Sequence, residues 1–294
     1  MKPKSIFMGL ILTFAMNGVC NANGTESPLI GPYVGQETPG LIPQFFAPRG
    51  HSTEYRDASG FFSPDMTEFY FTRRNAKDKK WSLNVFRLQD GQWHESVVGP
   101  RVGRPIFSPD GKTMHLGKHY MERTENGWSE IKELGPMFSD FRIMRLVSSS
   151  NGTYYFDEAS ESGPMRFSRL VHGKHETPKA LAIDLGKWNA HPYIAPDESY
   201  ILWDGDKDTG FGDNDLYISF KQSDGLWGAA INLGDKINTS AAEGGAIVTP
   251  DGKYLFFNRY TSGAQSNGMY WVDAQIIETL RSESQSSQSA FNAQ

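Results

Sequence analysis

Apolar and polar positions in this chain alternate over short stretches, and a Pro-Asp turn interrupts them at near-regular intervals. The pattern reads FFSPDMTEFYFTRR at 61–74, IFSPDGKTMHLGK at 106–118, YIAPDESYILWDG at 193–205 and IVTPDGKYLFFNR at 247–259. A divergent copy, LVSSSNGTYYFDE, occupies 146–158. In each copy an apolar strand runs into the turn, where Pro-Asp and often Gly reverse the chain. A second strand follows, with aromatic and β-branched residues alternating as in Glu68-Phe69-Tyr70-Phe71. Third strands are predicted at 83–88, 165–171, 215–220 and 269–272. Fourth strands begin at Gly91-Gln92-Trp93, Gly127-Trp128, Gly173-Lys174-His175 and Gly225-Leu226-Trp227. Helical periodicity is confined to 274–280.

Pro64, Pro109, Ser150, Pro196 and Pro250 hold equivalent places, which puts the steps at 45, 41, 46 and 54 residues. Four short strands per step of that size is the grammar of a propeller blade. The fold class expected is therefore all-β: a single β-propeller of four-stranded antiparallel blades. The last repeat lacks a fourth strand after Val272. Gly40-Leu41-Ile42-Pro43-Gln44-Phe45-Phe46 is similar to Gly225–Ile231 and supplies one. An N-terminal strand completing the C-terminal blade closes the ring and removes its exposed edges. Five blades follow, with six as the alternative should 25–50 hold an extra short blade.

Lys2 and Lys4, an apolar run over 6–16 and small residues around 18–22 have the layout of a signal peptide, 1–22, cleaved near Ala22. The run is short for a membrane span, so no transmembrane segment is expected in the mature chain. Asn17-Gly18-Val19 ahead of Cys20 makes a poor lipoprotein box. Residues 23–39 read as a lead-in, 40–281 as the propeller and 282–294 as a polar tail without regular structure. Cleavage removes the one cysteine, which excludes disulfides and thiol catalysis from the mature chain. It also takes two lysines, moving the net charge from −5 to −7. An acidic chain without a basic run does not fit nucleic-acid binding.

The SPDG phrase, the run GFGDNDLYIS at 210–219 and the stretch 227–239 resemble the WD-like propeller repeat of the TolB group over roughly 40–275. That resemblance implies a propeller, a periplasmic or secreted location and a role as a binding scaffold. Propellers with similar repeats include lyases of acidic polysaccharides, typically built on longer rings.

Aligning the repeats on the proline exposes a polar set just ahead of each first strand. Seven residues before it stand Asp57, Val102, Ile143, Asn189 and Glu243; five before it stand Ser59, Arg104, Arg145, His191 and Gly245. With a period of two, both positions share a face, so two acids, two arginines and a histidine are expected at one channel mouth. Arg104 and Arg145 suit a carboxylate, phosphate or sulfate, and His191 suits proton transfer near neutral pH. The plain alternative is that Asp57 and Glu243 pair with the arginines and line an inert channel. Trp188 and Tyr55 precede first strands and are candidates for ligand contact there.

Asp204, Asp206, Asp208 and Asp215 have the alternate-acid rhythm of a calcium loop, so calcium is a candidate cofactor. Gly210 falls at the seventh place rather than the sixth, and Asp stands where the longer Glu is usual. His115 and His119 would lie about 13 Å apart on a strand, too far for a shared metal. They read, with His172 and His175, as surface or packing residues. Trp93, Trp128 and Trp227 occupy equivalent blade positions and are expected between sheets, each burial contributing roughly 2–3 kcal/mol. Trp81 has no assigned place. The expected function is an exported propeller that binds a protein partner or an acidic oligosaccharide at Asp57, Arg104, Arg145, Trp188, Asn189, His191 and Glu243. The alternative is a lyase or hydrolase of an acidic, uronate-containing glycan, with His191, Arg145 and Arg104 as its catalytic groups.

Overall fold

The structure, a computed structural model, describes residues 27–50, 52–159, 163–261 and 267–292. The expected signal peptide at 1–22 lies outside them. Five small antiparallel sheets stand around a common axis as a five-bladed propeller. Blade 1 is Tyr55–Phe62, Glu68–Asn75, Trp81–Gln89 and Gln92–Pro100; blade 2 runs from Pro105–Phe107 to Lys132–Glu133. Blade 3 runs from Ile143–Ser148 to Lys179–Ala180, and blade 4 from Trp188–Ile194 to Ile231–Asn232. Blade 5 holds Ala242–Val248, Tyr254–Tyr260 and Gly268–Asp273. Its fourth strand is Gln44–Phe45, which pairs with Tyr270 and Trp271. The ring is thus closed by the N-terminal segment, as the similarity of 40–46 to a fourth strand predicted.

Four of the five repeated turns share one chemistry, and the blade 4 turn, with Ala195 in place of the hydroxyl, keeps the Ser199 N–H bond to Asp197. The Ser63, Ser108 and Thr249 hydroxyls donate to Asp65, Asp110 and Asp251 at 2.5–2.6 Å, and Ser149 donates to Asn151 in the divergent copy. The same acceptor takes an N–H two residues further on, from Thr67, Lys112, Thr153 or Lys253. These local bonds fix the hairpin.

Adjacent sheets enclose the core. Trp128 of blade 2 donates its indole N–H to the Tyr70 hydroxyl of blade 1 at 3.1 Å, and Trp227 of blade 4 meets Tyr155 of blade 3 edge-on. Trp93 donates to the Gly31 carbonyl of the lead-in. There, Leu29–Ile30 adds a fifth strand to blade 1, and the Tyr33 hydroxyl reaches Asp251 of blade 5 at 2.6 Å. The lead-in therefore ties the two blades that meet at the closure.

After Asp273 the chain forms a helix, Gln275–Asn292. It continues through 282–292, where no regular structure was expected from the sequence. Ile277 is buried against blade 5, which anchors the first turn, and propagation from a formed turn is far easier than nucleation. Among the described residues no helix is long and apolar enough to cross a membrane.

Candidate functional site

From blade 1 to blade 5 each first strand touches the next, and the first strand of blade 1 meets the second and third strands of blade 5. Where the first strands end, an apolar cavity of about 300 Å³ is lined from all five blades, by Phe61, Phe107, Val147, Tyr193 and Ile247 among others. Where they begin, the lining is polar, and a bulge decides which side chains enter it. The pairing register shifts in blades 1, 3, 4 and 5 between Ala58 and Phe61, Ile143 and Leu146, Ala190 and Tyr193, and Gly244 and Ile247. Ser59, His191 and Gly245 sit in this bulge with φ of 54°, 51° and 70°. A left-handed residue re-aims the side chain and breaks the period of two.

The positions five and seven before the proline therefore do not share a face. Asp57 instead faces Arg73 across the hairpin, bound through both oxygens at 2.7 and 2.8 Å, with Glu95 on the third guanidinium nitrogen. Burial holds the Asp57 carboxyl above the usual range, although Arg73 opposes it. Glu243 likewise pairs with Arg259 at 2.7 Å and accepts from the Thr239 hydroxyl and N–H. Both acids are thus paired with Arg73 and Arg259 rather than with Arg104 or Arg145.

What the bulge does gather is a set of blade-to-blade latches. Asp157 of blade 3 accepts the His191 N–H of blade 4 at 2.8 Å. Asp204 of blade 4 accepts the Gly245 N–H of blade 5 at 2.8 Å, and Asn258 of blade 5 accepts the Ser59 N–H of blade 1 at 2.9 Å. Asp204 and Asn258 stand eight residues after their proline; Asp157 stands seven after Ser150. The same alignment that singled out the mouth could have revealed them.

Two groups on this floor are set up for chemistry or binding. Both carboxylate oxygens of Asp204 lie 2.9 Å from Nδ1 of His191, which leaves the buried Nε2 without a partner. The Trp188 ring stands edge-on to the imidazole, centroids 6.5 Å apart. The Asn189 amide donates to the Gly163 carbonyl, and its buried Oδ1 has no partner. Arg145 is 2 % exposed and crosses the channel. It donates to the carbonyls of His191, Gly245 and Ala246 at 3.2–3.4 Å, while its Nε is unpartnered. Burial, aided by Arg104, pulls its pKa down to about 10. Arg145 thus braces blades 3, 4 and 5 rather than presenting a fork to the mouth.

Arg104 is half-buried and, among the described residues, meets no carboxylate. Arg101 is half-buried beside it, its guanidinium 4.6 Å from the Trp81 ring centroid. Burial, with Arg104 adding to it, lowers the Arg101 pKa. Arg56 lies between Trp81 and Tyr260, at 5.5 and 5.2 Å from their centroids. Burial raises the Tyr260 hydroxyl, while Arg104, Arg56 and Arg101 pull it back. The sequence reading did not pick out Arg56, Arg101 or Tyr260. Trp81 is the aromatic around which the cations gather, and Tyr55 lies under the Arg73 guanidinium at 3.8 Å.

The four aspartates read as a calcium loop go to separate partners. Asp204 faces the channel, Asp208 pairs with Lys187, and Asp206 lies opposite Trp188 in the hairpin. Asp215 accepts from the Phe211 and Gly212 N–H groups and the Asn232 amide. Among the described residues no three His, Cys, Asp or Glu side chains are grouped to hold a metal ion.

No family model matches the chain, and no curated protein matches it. Among solved structures it is similar to TolB from Acinetobacter baumannii, at 15% identity and a TM-score of 0.45 over 73% of this chain and 53% of that one. The catalytic domain of the Coprinopsis cinerea GH62 α-L-arabinofuranosidase gives 9% identity and a TM-score of 0.48, over 80% and 94% of the two chains. A gluconolactonase from Xanthomonas campestris gives 11% and 0.44, over 84% and 94%. The chain spans about half the length of the TolB structure.

Proposed function

We propose that this protein is an exported, periplasmic or secreted binding propeller, and that it takes an anionic ligand at the polar mouth of its channel. One observation supports this reading above the others. Arg101 and Arg104 are half-buried without a carboxylate, while Asp57, Glu243 and Asp204 are all engaged elsewhere. Like charges held together in a half-buried place cost stability, and an incoming carboxylate, phosphate or sulfate relieves that cost. Arg104 takes the anion, Trp188 and Asn189 contact its uncharged part, and Arg145 forms the floor behind His191. The ligand is an acidic oligosaccharide or an acidic segment of a protein partner.

Thermal unfolding against acidic oligosaccharides and acidic peptides tests this, because a ligand of the native state raises the melting temperature by mass action. A shift in the wild type that is lost in Arg104→Gln is expected. No shift with any acidic probe, or a shift that Arg104→Gln leaves intact, overturns the reading.

A second reading has its own observation. The Asp204 carboxylate fixes the His191 ring and leaves Nε2 free, the arrangement of an oriented general base. On an acidic glycan such a base removes the proton beside a uronate carboxylate. Growth of absorbance at 235 nm with polyuronates, lost in His191→Ala, would make the protein a lyase.

A further inference from the structure

A separate cavity of about 370 Å³ opens at the seam where blade 5 meets blade 1. One wall is the closing segment itself, Phe45, Phe46 and Ala47, with Met269 of blade 5 beside it. The lining also carries three cations, Arg56, Arg74 and Lys79, and the small polar groups of Ser52, Thr53, Asn75 and Asn267. The one acid in the lining, Asp57, has both oxygens bound by Arg73. Arg56 and Arg74 have no carboxylate among the described residues. Their guanidinium carbons lie over the Trp81 ring, at 5.5 and 6.0 Å, and the buried Nε of Arg56 has no hydrogen-bond partner. Stacking on an indole offsets part of the repulsion between guanidiniums; Arg74 donates its Nε–H to the Lys79 carbonyl at 3.4 Å, which leaves its terminal nitrogens to donate to a ligand. The cavity therefore combines cationic charge that no carboxylate neutralises with guanidinium donors.

We propose that this seam, which adjoins the arginine cluster of the channel mouth through Arg56, is a second oxyanion-binding site, taking a carboxylate, phosphate or sulfate group between Arg56 and Arg74. Because the closing segment is one of its walls, the complete cavity exists only in the closed ring. An anion bound there favours the closed state over any state in which 44–46 has peeled from blade 5, so ligand binding and ring closure are linked.

Hydrogen exchange of the full protein tests the proposal, followed over residues 40–50 with sodium phosphate, sodium sulfate or galacturonate. Potassium chloride at matched ionic strength controls for screening. The wild type should exchange more slowly over 40–50 with at least one of the three anions and not with chloride. The anion that protects best identifies the chemistry of the ligand. Arg56→Gln and Arg74→Gln should each weaken this protection at least about fivefold in anion concentration, whereas Arg104→Gln should leave it unchanged. Lys79→Gln, a change on the exposed rim, serves if either arginine variant fails to fold and should weaken protection in the same direction. Protection by none of the three anions, protection that survives the substitutions, or protection lost equally in Arg104→Gln would overturn the assignment. The last outcome would return the anion to the channel mouth.

Discussion

His191 and Asp204 are joined across a hairpin by Nδ1 lying 2.9 Å from both carboxylate oxygens, and Oδ1 of the same Asp204 also holds the Gly245 N–H of the next blade. One side chain thus sets the imidazole tautomer and latches blade 4 to blade 5. In Asp204→Asn the amide can keep the Gly245 bond only by turning its NH₂ toward Nδ1, which drives the ring proton to Nε2. The variant should lose about 1–3 kcal/mol in urea unfolding. The imidazole nitrogen shifts in NMR should show the proton exchanged between the two ring positions. Wild-type tautomer in the variant would mean that Asp204 does not orient His191.

His115 gives the protein a pH dependence of known sign. It is 2 % exposed, its Nε2 is 3.1 Å from the Ser148 hydroxyl, and its Nδ1 has no partner. Burial, with His175 adding to it, pushes its pKa down to about 4 from 6.5. Below pH 6.5 the unfolded chain takes up a proton that the folded chain refuses, so stability falls as pH falls from 6.5 to 4. The full loss from this group is about 3 kcal/mol. His115→Gln should flatten the unfolding free energy over that window and leave it sloping below pH 4. An unchanged slope between 6.5 and 4 would place the proton uptake elsewhere.

The fold was legible because it repeats. Five copies of one hairpin carried their own turn chemistry, and the similarity of 40–46 to 225–231 disclosed the closure. The site was legible only in part. His191 comes together with Arg145 and Trp188, whereas Asp57 and Glu243 go to Arg73 and Arg259. The reason is a left-handed residue in three of the four bulges, at Ser59, His191 and Gly245. Only the glycine advertises such a conformation in a sequence. An alternation argument cannot see past it, and so the cross-strand partners Arg73 and Arg259 were missed. The arginines around Trp81 come from separate strands of blade 1 and from the link into blade 2. No local spacing reveals that they converge.

Arg145 separates a brace from a ligand-binding group. Its guanidinium reaches carbonyls of blades 4 and 5 from blade 3. Lysine cannot hold three acceptors in that plane, and methionine leaves all of them buried and unpaired. Arg145→Met should lower stability by about 2–4 kcal/mol, with Arg145→Lys falling between it and the wild type. If Arg145 is the floor, Arg145→Lys should change the affinity for an acidic ligand far less than Arg104→Gln does. An affinity loss in Arg145→Lys equal to that of Arg104→Gln, with stability untouched, would move Arg145 into the binding site.

The closure should be the point at which the ring is easiest to break. Gln44–Phe45 contributes a two-residue strand, so its backbone bonds alone cannot hold blade 5 together. The holding force is Phe46, 1 % exposed, whose ring centroid lies 4.8–5.1 Å from those of Phe256, Phe69 and Trp271. Phe69 belongs to blade 1, so the same ring spans the seam between the first and last sheets. Phe46→Ala should cost about 3–5 kcal/mol and open the N-terminal segment to limited proteolysis before the rest of the ring unfolds. Truncation of the distal part of the helix, 283–294, should change stability by no more than about 0.5 kcal/mol, because Ile277 in the first turn anchors the helix. If both changes cost the same, the ring is held by something other than this ring contact.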